Sequence, residues 1–180
     1  IGQYAHGNEP SHHAAYLFAM AGQPYKTQAR VRQILDTLYS DQPDGLSGNE
    51  DCGQMSAWYV MSAMGLYAVA PGVEHYVLGA PLFPKTTIHL ENGEDFVIEA
   101  PKVSKANLYV QSVTLNGAPV ERPQLTHSQI LAGGTLHFEM GPEPNEAWGA
   151  EGVDAYWTPP ATVRAPVIES ESMSFVERTQ

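Results

Sequence analysis

The amino-acid pattern changes at Pro71-Gly72, and this change constrains the fold more than any other feature of the chain. Before it, apolar residues recur at the spacing of helices. After it, short apolar segments alternate with glycine-containing dipeptides. Helices followed by strands are typical of α+β proteins. The sequence therefore predicts an α+β fold, with helices first and a small antiparallel, sandwich-like β unit second.

Three helices are predicted in the first 70 residues. Ser11 is a candidate N-cap for a helix over residues 12–20 that ends at Gly22. A second helix begins near Pro24 and carries its apolar face at positions 31, 34, 35 and 38. A third, over about residues 53–67, is apolar nearly all round, which predicts burial on most of its sides.

Strands are predicted at residues 75–78, 86–90, 96–99, 106–115, 129–131 and 135–140. Hairpin-type dipeptides separate several of them: Asn92-Gly93, Asn116-Gly117 and Gly133-Gly134. We expect a helical region over residues 1–70, a β unit over 71–165 and an extended tail over 166–180. The chain begins with Ile1 in what reads as a loop, and we expect it to be the C-terminal piece of a longer protein.

Composition excludes several classes of function. With 43% hydrophobic and 16% charged residues, the chain is typical of a globular protein with a hydrophobic core. Its net charge of −11 argues against binding to nucleic acid or to an anionic membrane, because phosphate groups require clustered Lys and Arg. No stretch reaches the roughly 18 apolar residues of a membrane-spanning helix. The single cysteine, Cys52, is expected to be a small buried residue and not a nucleophile.

Two polar clusters hold the candidate site residues. The first, HGNEPSHH, covers residues 6–13. Asn8 and Glu9 offer the oxygen ligands that Ca²⁺ prefers, or a catalytic carboxylate. His12 and His13 are adjacent, so on a helix they point about 100° apart and are not expected to share one ion. The alternative is that Glu9 only favours the helix N-terminus, while one histidine is a hydrogen-bonded core residue.

The second cluster, GNEDCGQ, covers residues 48–54 and leads into the most apolar helix. Glu50 and Asp51 would repel each other at an enclosed site unless a cation, a proton or a sugar hydroxyl lay between them. The alternative is ordinary N-capping by Asp51, with Gln54 three residues later completing a capping box.

The motifs HGNEPSHH and GNEDCGQMSAWYVMSAMGLY, followed by PGVEHYVLGAPLF, resemble the C-terminal part of glycoside hydrolase family 92. Members of that family are calcium-dependent, inverting exo-α-mannosidases, many of them bacterial. The resemblance implies that residues 1–70 are the last helices of an (α/α)₆ barrel, followed by trailing strands. It also implies partners: a mannose-containing oligosaccharide, and the N-terminal β-sandwich and barrel helices of the same polypeptide.

The resemblance implies residue roles as well. Asp51 matches an aspartate proposed as the general base in the family, and Asn49 replaces the first acid of that motif. Asn8 and Glu9 are expected at a Ca²⁺ ion that contacts the mannose 2- and 3-hydroxyls. His12, His13 and Glu50 are expected to contact the substrate or the residues that bind it. The family's acid motif, which combines a Glu-Gly and a Trp-Gln pair, is absent from this chain, so the isolated segment should be inactive.

Three other interpretations stay open. One is a different (α/α)-barrel enzyme, of the trehalase or phosphorylase kind. Another is a non-catalytic glycan-binding or structural module with a vestigial site, and the last is a helical core in which both clusters are only caps. The acidic composition is compatible with a periplasmic or secreted protein.

Overall fold

The computed structural model describes residues 1–153, and the predicted tail at 166–180 lies outside them. The first part of the chain is helical. Its helices are α1 (Leu17–Met20), α2 (Pro24–Thr37) and α3 (Gln54–Met64). α2 begins with Pro at its first position, where the missing N–H costs nothing, and it buries Val31, Ile34 and Leu35. The prediction for this helix is confirmed.

The predicted helix over residues 12–20 is wrong in most of its length. A short 3₁₀ helix, Glu9–Ser11, precedes these residues, a second one, Ala14–Tyr16, lies among them, and only α1 is α-helical. Ser11 is not an N-cap, because its hydroxyl donates to the carbonyl oxygens of Ala5 and Asn8. Backbone and side-chain bonds to distant residues hold this segment, and local propensity does not determine its shape.

α3 is shorter and more exposed than predicted. Gly65 adopts a left-handed conformation (φ 89°) and ends the helix, and the chain continues into a strand. Among the described residues α3 buries Met55, Trp58, Ser62 and Ala63 on one side, while Val60 on another side is 54% exposed. The expected burial on most sides is therefore wrong for the described part of the chain, where α3 packs mainly on α2 and the strand that follows it.

Within residues 1–153, eight strands form two sheets. They are β1 (Leu66–Tyr67), β2 (His75–Leu78), β3 (Lys85–His89), β4 (Asp95–Glu99), β5 (Tyr109–Leu115), β6 (Ala118–Pro119), β7 (Gln124–Thr126) and β8 (Gly134–Gly141). The first sheet has the order β1-β2-β7, and the second has the order β3-β4-β8-β5-β6. Both sheets contribute to one apolar core, so the unit is sandwich-like. It is not wholly antiparallel, because β4 and β8 pair in parallel.

Residues 129–131 were predicted as a strand, and this is wrong. They belong to a short helix, α4 (His127–Leu131), in which Thr126 and Gln129 form a capping box. The predicted strand over 106–115 begins only at Tyr109. Asn92-Gly93 and Asn116-Gly117 lie in the turns between β3 and β4 and between β5 and β6, as predicted, whereas Gly133-Gly134 joins α4 to β8.

The helical region and the β unit pack on each other through β2. Because successive side chains of a strand point to opposite faces, Val77 enters the helical core and Leu78 enters the β core. Gln28 on α2 accepts a hydrogen bond from the backbone N–H of Val110 at 3.1 Å. The change of pattern at Pro71-Gly72 therefore separates elements that are in direct contact, and the boundaries at residues 70 and 165 remain predictions.

Among residues 1–153, no helix has both the length and the apolar character needed to cross a membrane.

Candidate functional site

The structure brings the two polar clusters together. Gly7 lies against Ser47 so closely that a Cβ atom on Gly7 would overlap the Ser47 carbonyl oxygen, and a Cβ atom on Gly48 would lie 3.4 Å from the Gly7 backbone. Glycine at position 7 is needed for this close approach of two chain segments. Residues 40 positions apart in sequence therefore form one local site.

His6 is the centre of the buried network below the site. It is 2% exposed. The hydroxyl of Tyr4 lies 2.8 Å from its Nδ1 atom, and the hydroxyl of Tyr39 lies 2.6 Å from its Nε2 atom. The Tyr39 hydroxyl donates its own proton to the Met55 carbonyl oxygen at 3.1 Å, so its oxygen accepts from Nε2–H of His6. Nδ1 then accepts from Tyr4. Rings of His6 and Trp58 meet edge to face at 4.4 Å.

Burial sets the protonation states in this network. Removal from water lowers the pKa of His6 from 6.5 to about 4, with the neighbouring His12 adding to the effect. Burial raises the pKa of Tyr4 to about 12, and it also raises the pKa of Tyr39. The histidine is therefore neutral and the phenols keep their protons at pH 7. The hydrogen bonds of the network then have fixed donors and acceptors.

His12 is 2% exposed, and both of its ring nitrogens are hydrogen-bonded within the protein. Its Nε2 faces the carbonyl oxygen of His6 at 2.9 Å, and a carbonyl can only accept, so Nε2 carries the proton. Its Nδ1 accepts from the side-chain amide of Gln54 at 2.9 Å. The backbone oxygen of His12 accepts from Trp58 Nε1 at 3.1 Å. The expectation of a hydrogen-bonded core histidine is thus met by His12, and its predicted substrate contact stays a prediction.

Asp51 lies in a turn of left-handed backbone. Asp51, Cys52 and Gly53 have φ angles of 50°, 58° and 93°, a conformation that costs non-glycine residues free energy. Gly53 is the N-cap residue of α3 and makes no side-chain cap, so the capping role considered for Asp51 is wrong. The Asp51 side chain is exposed and, among the described residues, accepts no hydrogen bond and forms no ion pair.

Glu50 and Cys52 flank Asp51 and have different surroundings. The Glu50 carboxylate accepts a hydrogen bond from the backbone N–H of Ser56 at 3.0 Å, so Glu50 stabilises the first turn of α3. Its predicted substrate contact stays a prediction. Cys52 is exposed, which corrects the expectation that it is buried. Because the turn points outward with positive φ angles, the small side chain is not drawn into the core.

The first cluster provides one observation that bears on a cation. Oε1 of Glu9 is buried and has no hydrogen-bond partner in the described part of the chain. A buried carboxylate oxygen without a donor is costly, and a bound oxygen-preferring cation would offset that cost. Asn8 and His13 are exposed. Residues 1–153 gather no group of three His, Cys, Asp or Glu side chains able to hold a metal, so further ligands would have to be amide or carbonyl oxygens, water, or groups outside these residues.

A cleft of about 450 Å³ lies beside the site but does not contain it. Its lining includes Tyr39, Pro43, Leu46, Tyr59 and Val60, and none of the predicted site residues. It therefore borders the exposed side of α3 and leaves Asp51 outside.

Sequence reasoning assigned no role to His6 or Tyr39, and it considered Gln54 only as the last residue of a capping box, which the structure does not form. His6 is the first residue of the first cluster and Gln54 is the last residue of the second, so their positions in the sequence could have indicated a role in the site. Tyr39 follows an amphipathic helix and has no local signal, because its partners are about 16 and 33 residues away.

Comparison with known proteins identifies the chain. The model of the glycosyl hydrolase family 92 catalytic domain matches residues 1–142. The chain belongs to glycoside hydrolase family 92. Two Bacteroides thetaiotaomicron family 92 structures are similar to it: an α-mannosidase with 41% identity and a TM-score of 0.82, and an inverting mannosidase with 44% identity and a TM-score of 0.79. Each alignment covers 86% of this chain and 21% of the mannosidase.

One further relative extends the comparison. An uncharacterised secreted glycosidase of Arthroderma benhamiae is 33% identical over 146 residues, which are 79% of this chain and 19% of that protein. The chain thus spans about a fifth of the length of the relatives that it matches. The α-mannosidase of Bacteroides thetaiotaomicron also has a structure in complex with mannoimidazole.

Proposed function

We propose that this chain is part of a hydrolase that removes terminal α-linked mannose from mannan or N-glycan-type oligosaccharides by a calcium-dependent inverting mechanism. The observation that carries the proposal is the contact of the two family 92 motifs at Gly7 and Ser47. Among the described residues, one of these motifs contains an aspartate side chain without a partner, and the other contains a buried glutamate oxygen without one. Solved relatives that are mannosidases support the choice of sugar.

Asp51 is proposed as the general base. Inversion requires a carboxylate that accepts a proton from the attacking water, about 6.5–9.5 Å from the acid that protonates the leaving oxygen. Asp51 is exposed to water and is engaged neither in N-capping nor in an ion pair among the described residues. It lies in a turn of left-handed backbone, and strained backbone of this kind is common at functional sites.

Glu9 and Asn8 are proposed as calcium ligands. The buried Oε1 of Glu9 fits a hard cation, and the Asn8 amide offers a second oxygen of the preferred kind. Bound calcium would supply coordination to sugar hydroxyls. His13 and Glu50 belong to the same two clusters and are proposed to contact the sugar, whereas His12 is buried.

The rest of the polypeptide is proposed to complete the enzyme. The general acid motif of the family is absent from these 180 residues, so another segment must supply the acid. The exposed Ala57 and Val60 on α3 would pack on other helices of an (α/α)₆ barrel. Since a relative is described as secreted, we also propose that the protein is exported.

The test is release of mannose from α-mannobiose by the full-length protein, with Ca²⁺ and then with excess EDTA, while NMR follows the anomer. We expect β-mannose as the first product, and EDTA should abolish its release. Asp51→Asn should lower kcat by about 10²–10⁴-fold, because it removes general base catalysis while retaining the shape of the turn.

Asp36→Asn is the matched control, since it makes the same change at an exposed position of α2. It should leave kcat unchanged. Activity of Asp51→Asn close to that of the wild type would remove Asp51 as the base. Saturable mannoside binding without hydrolysis would instead favour a glycan-binding module.

A further inference from the structure

Gln54 joins the two clusters and lies three residues after Asp51 in the sequence. It is the first residue of α3, and its backbone N–H donates to the Asp51 carbonyl oxygen at 3.2 Å. Its side-chain amide donates to Nδ1 of His12 at 2.9 Å and to the Tyr67 hydroxyl oxygen at 3.3 Å. Gln54 is thus bonded through its backbone to the turn of the second cluster and through its side chain to the first cluster.

The turn itself has few means of holding its shape. Asp51 and Cys52 are exposed residues in the left-handed region, where non-glycine residues are disfavoured. A Cβ on Gly53 would meet no atom within 4 Å, so the turn is not packed against its surroundings there. Its conformation must therefore be imposed by bonds at its ends.

The partner of Gln54 is rigid. His12 is fully buried, its ring is stacked on His6 at 4.7 Å, and its Nε2–H and backbone oxygen are both engaged. In the neutral ring only the Nδ1 lone pair remains, and it needs a donor. The Gln54 amide is such a donor, and its second N–H reaches Tyr67. A side chain of the same length without N–H groups would leave a buried acceptor unpaired.

We propose that Gln54 is a positioning residue: its hydrogen bond to His12 fixes the turn that carries Asp51 relative to the segment that carries Asn8 and Glu9. The inference rests on the proposed function and adds a residue that acts through Asp51 without touching the sugar. A general base displaced by about 1 Å loses rate far more than substrate affinity, because the sugar is held by other groups.

The test is Gln54→Met in the full-length protein, since methionine retains the length of the side chain and removes its donors. We expect kcat for α-mannobiose to fall by about 10²-fold, while KM changes by less than about threefold. Hydrogen exchange of the peptide amides of residues 47–53, followed by mass spectrometry, should become about tenfold faster or more.

Ser62→Ala is the matched control. It removes another buried hydrogen bond from α3, donated by the Tyr16 hydroxyl at 2.7 Å, at a site remote in sequence from the turn. It should lower the melting temperature and leave both kcat and the exchange of residues 47–53 unchanged. Gln54→Met behaving in the same way would overturn the proposal.

The exchange measurement separates this proposal from the proposed function. If the wild-type protein released no mannose, the proposed function would fail, and exchange alone would decide whether Gln54 fixes the turn. Unchanged exchange in Gln54→Met would then refute the positioning role, and faster exchange would support it.

Discussion

The helical region and the β unit are stabilised by different means. The buried polar residues of the described chain all lie in the helical region: His6, His12, Thr27, Gln28, Arg32 and Ser62. The core of the β unit is apolar, with Phe96, Leu136 and Phe138 among its fully buried side chains. Its charged groups pair on the outside, as Lys85 does with Glu99 at 3.2 Å.

This difference relates structure to function. A buried hydrogen-bond network fixes one arrangement of its members, because an unpaired buried group is costly, whereas an apolar core tolerates many packings. The region that must hold Asp51 and Glu9 in place is the one built on the network. The β unit supports it through β2, whose Val77 enters the helical core.

The largest effect on stability is expected from the apolar core of the β unit. Phe138 on β8 is completely buried, so Phe138→Ala should lower the free energy of opening of β5 and β8 by about 3–5 kcal/mol. Native-state hydrogen exchange of the full-length protein measures it. Phe83→Ala is the control, because Phe83 is about half exposed and should cost little. A similar loss of stability in both variants would contradict the view that the apolar core stabilises the β unit.

A smaller effect on stability is expected when acidification protonates His6. The unfolded histidine binds a proton below pH 6.5 and the folded one only below about 4, so stability should fall on acidification from 6.5 to 4. At about 1.4 kcal/mol per pH unit, the loss is up to about 3 kcal/mol. Hydrogen exchange of residues 6–16, measured in EDTA to exclude metal binding, reports it.

His6→Phe is the variant that isolates this contribution. We expect this variant to be less stable than the wild type at pH 7. Because it lacks the imidazole, acidification does not destabilise it through protonation at position 6, so the difference in stability between the two proteins should shrink as the pH falls to 4. A constant difference over that range would show that His6 does not titrate with a lowered pKa.

The smallest effect is expected on the outer face of the β unit. Lys85 is exposed and Glu99 is partly exposed, so Lys85→Ala should change the opening free energy of β3 and β4 by at most about 1 kcal/mol. Exchange at low and high salt measures the change, which should vanish at high salt. A loss above about 2 kcal/mol would mean that charge pairs, and not only the apolar core, hold this unit.

Local chemistry made part of the fold predictable. The Pro24 start and the spacing of positions 31, 34 and 35 were sufficient for α2, and Asn116-Gly117 for the turn between β5 and β6. α4 was missed although Thr126 and Gln129 form the signature of a capping box, because the apolar pair after Gln129 resembled a strand.

Long-range contacts explain what could not be predicted. The 3₁₀ turns of the first cluster are held through His12 by Gln54 and Trp58, which lie more than 40 residues away. The parallel pairing of β4 with β8 likewise joins strands about 35 residues apart, and the sequence of neither strand indicates which strand it pairs with. The two clusters were recognisable from sequence, but their contact at Gly7 and Ser47 was not.

Residues 142–153 determine how far the chain can be shortened. Trp148 fills part of the β core and donates from Nε1 to the Val120 carbonyl oxygen at 2.9 Å. Four to five residues later, Gly152 lies against the Met20 carbonyl oxygen and Val153 packs on the helical core. This segment crosses from the β core to the helical core after β8 has ended. A truncation at Gly141 would therefore retain β1 to β8 and still open both cores.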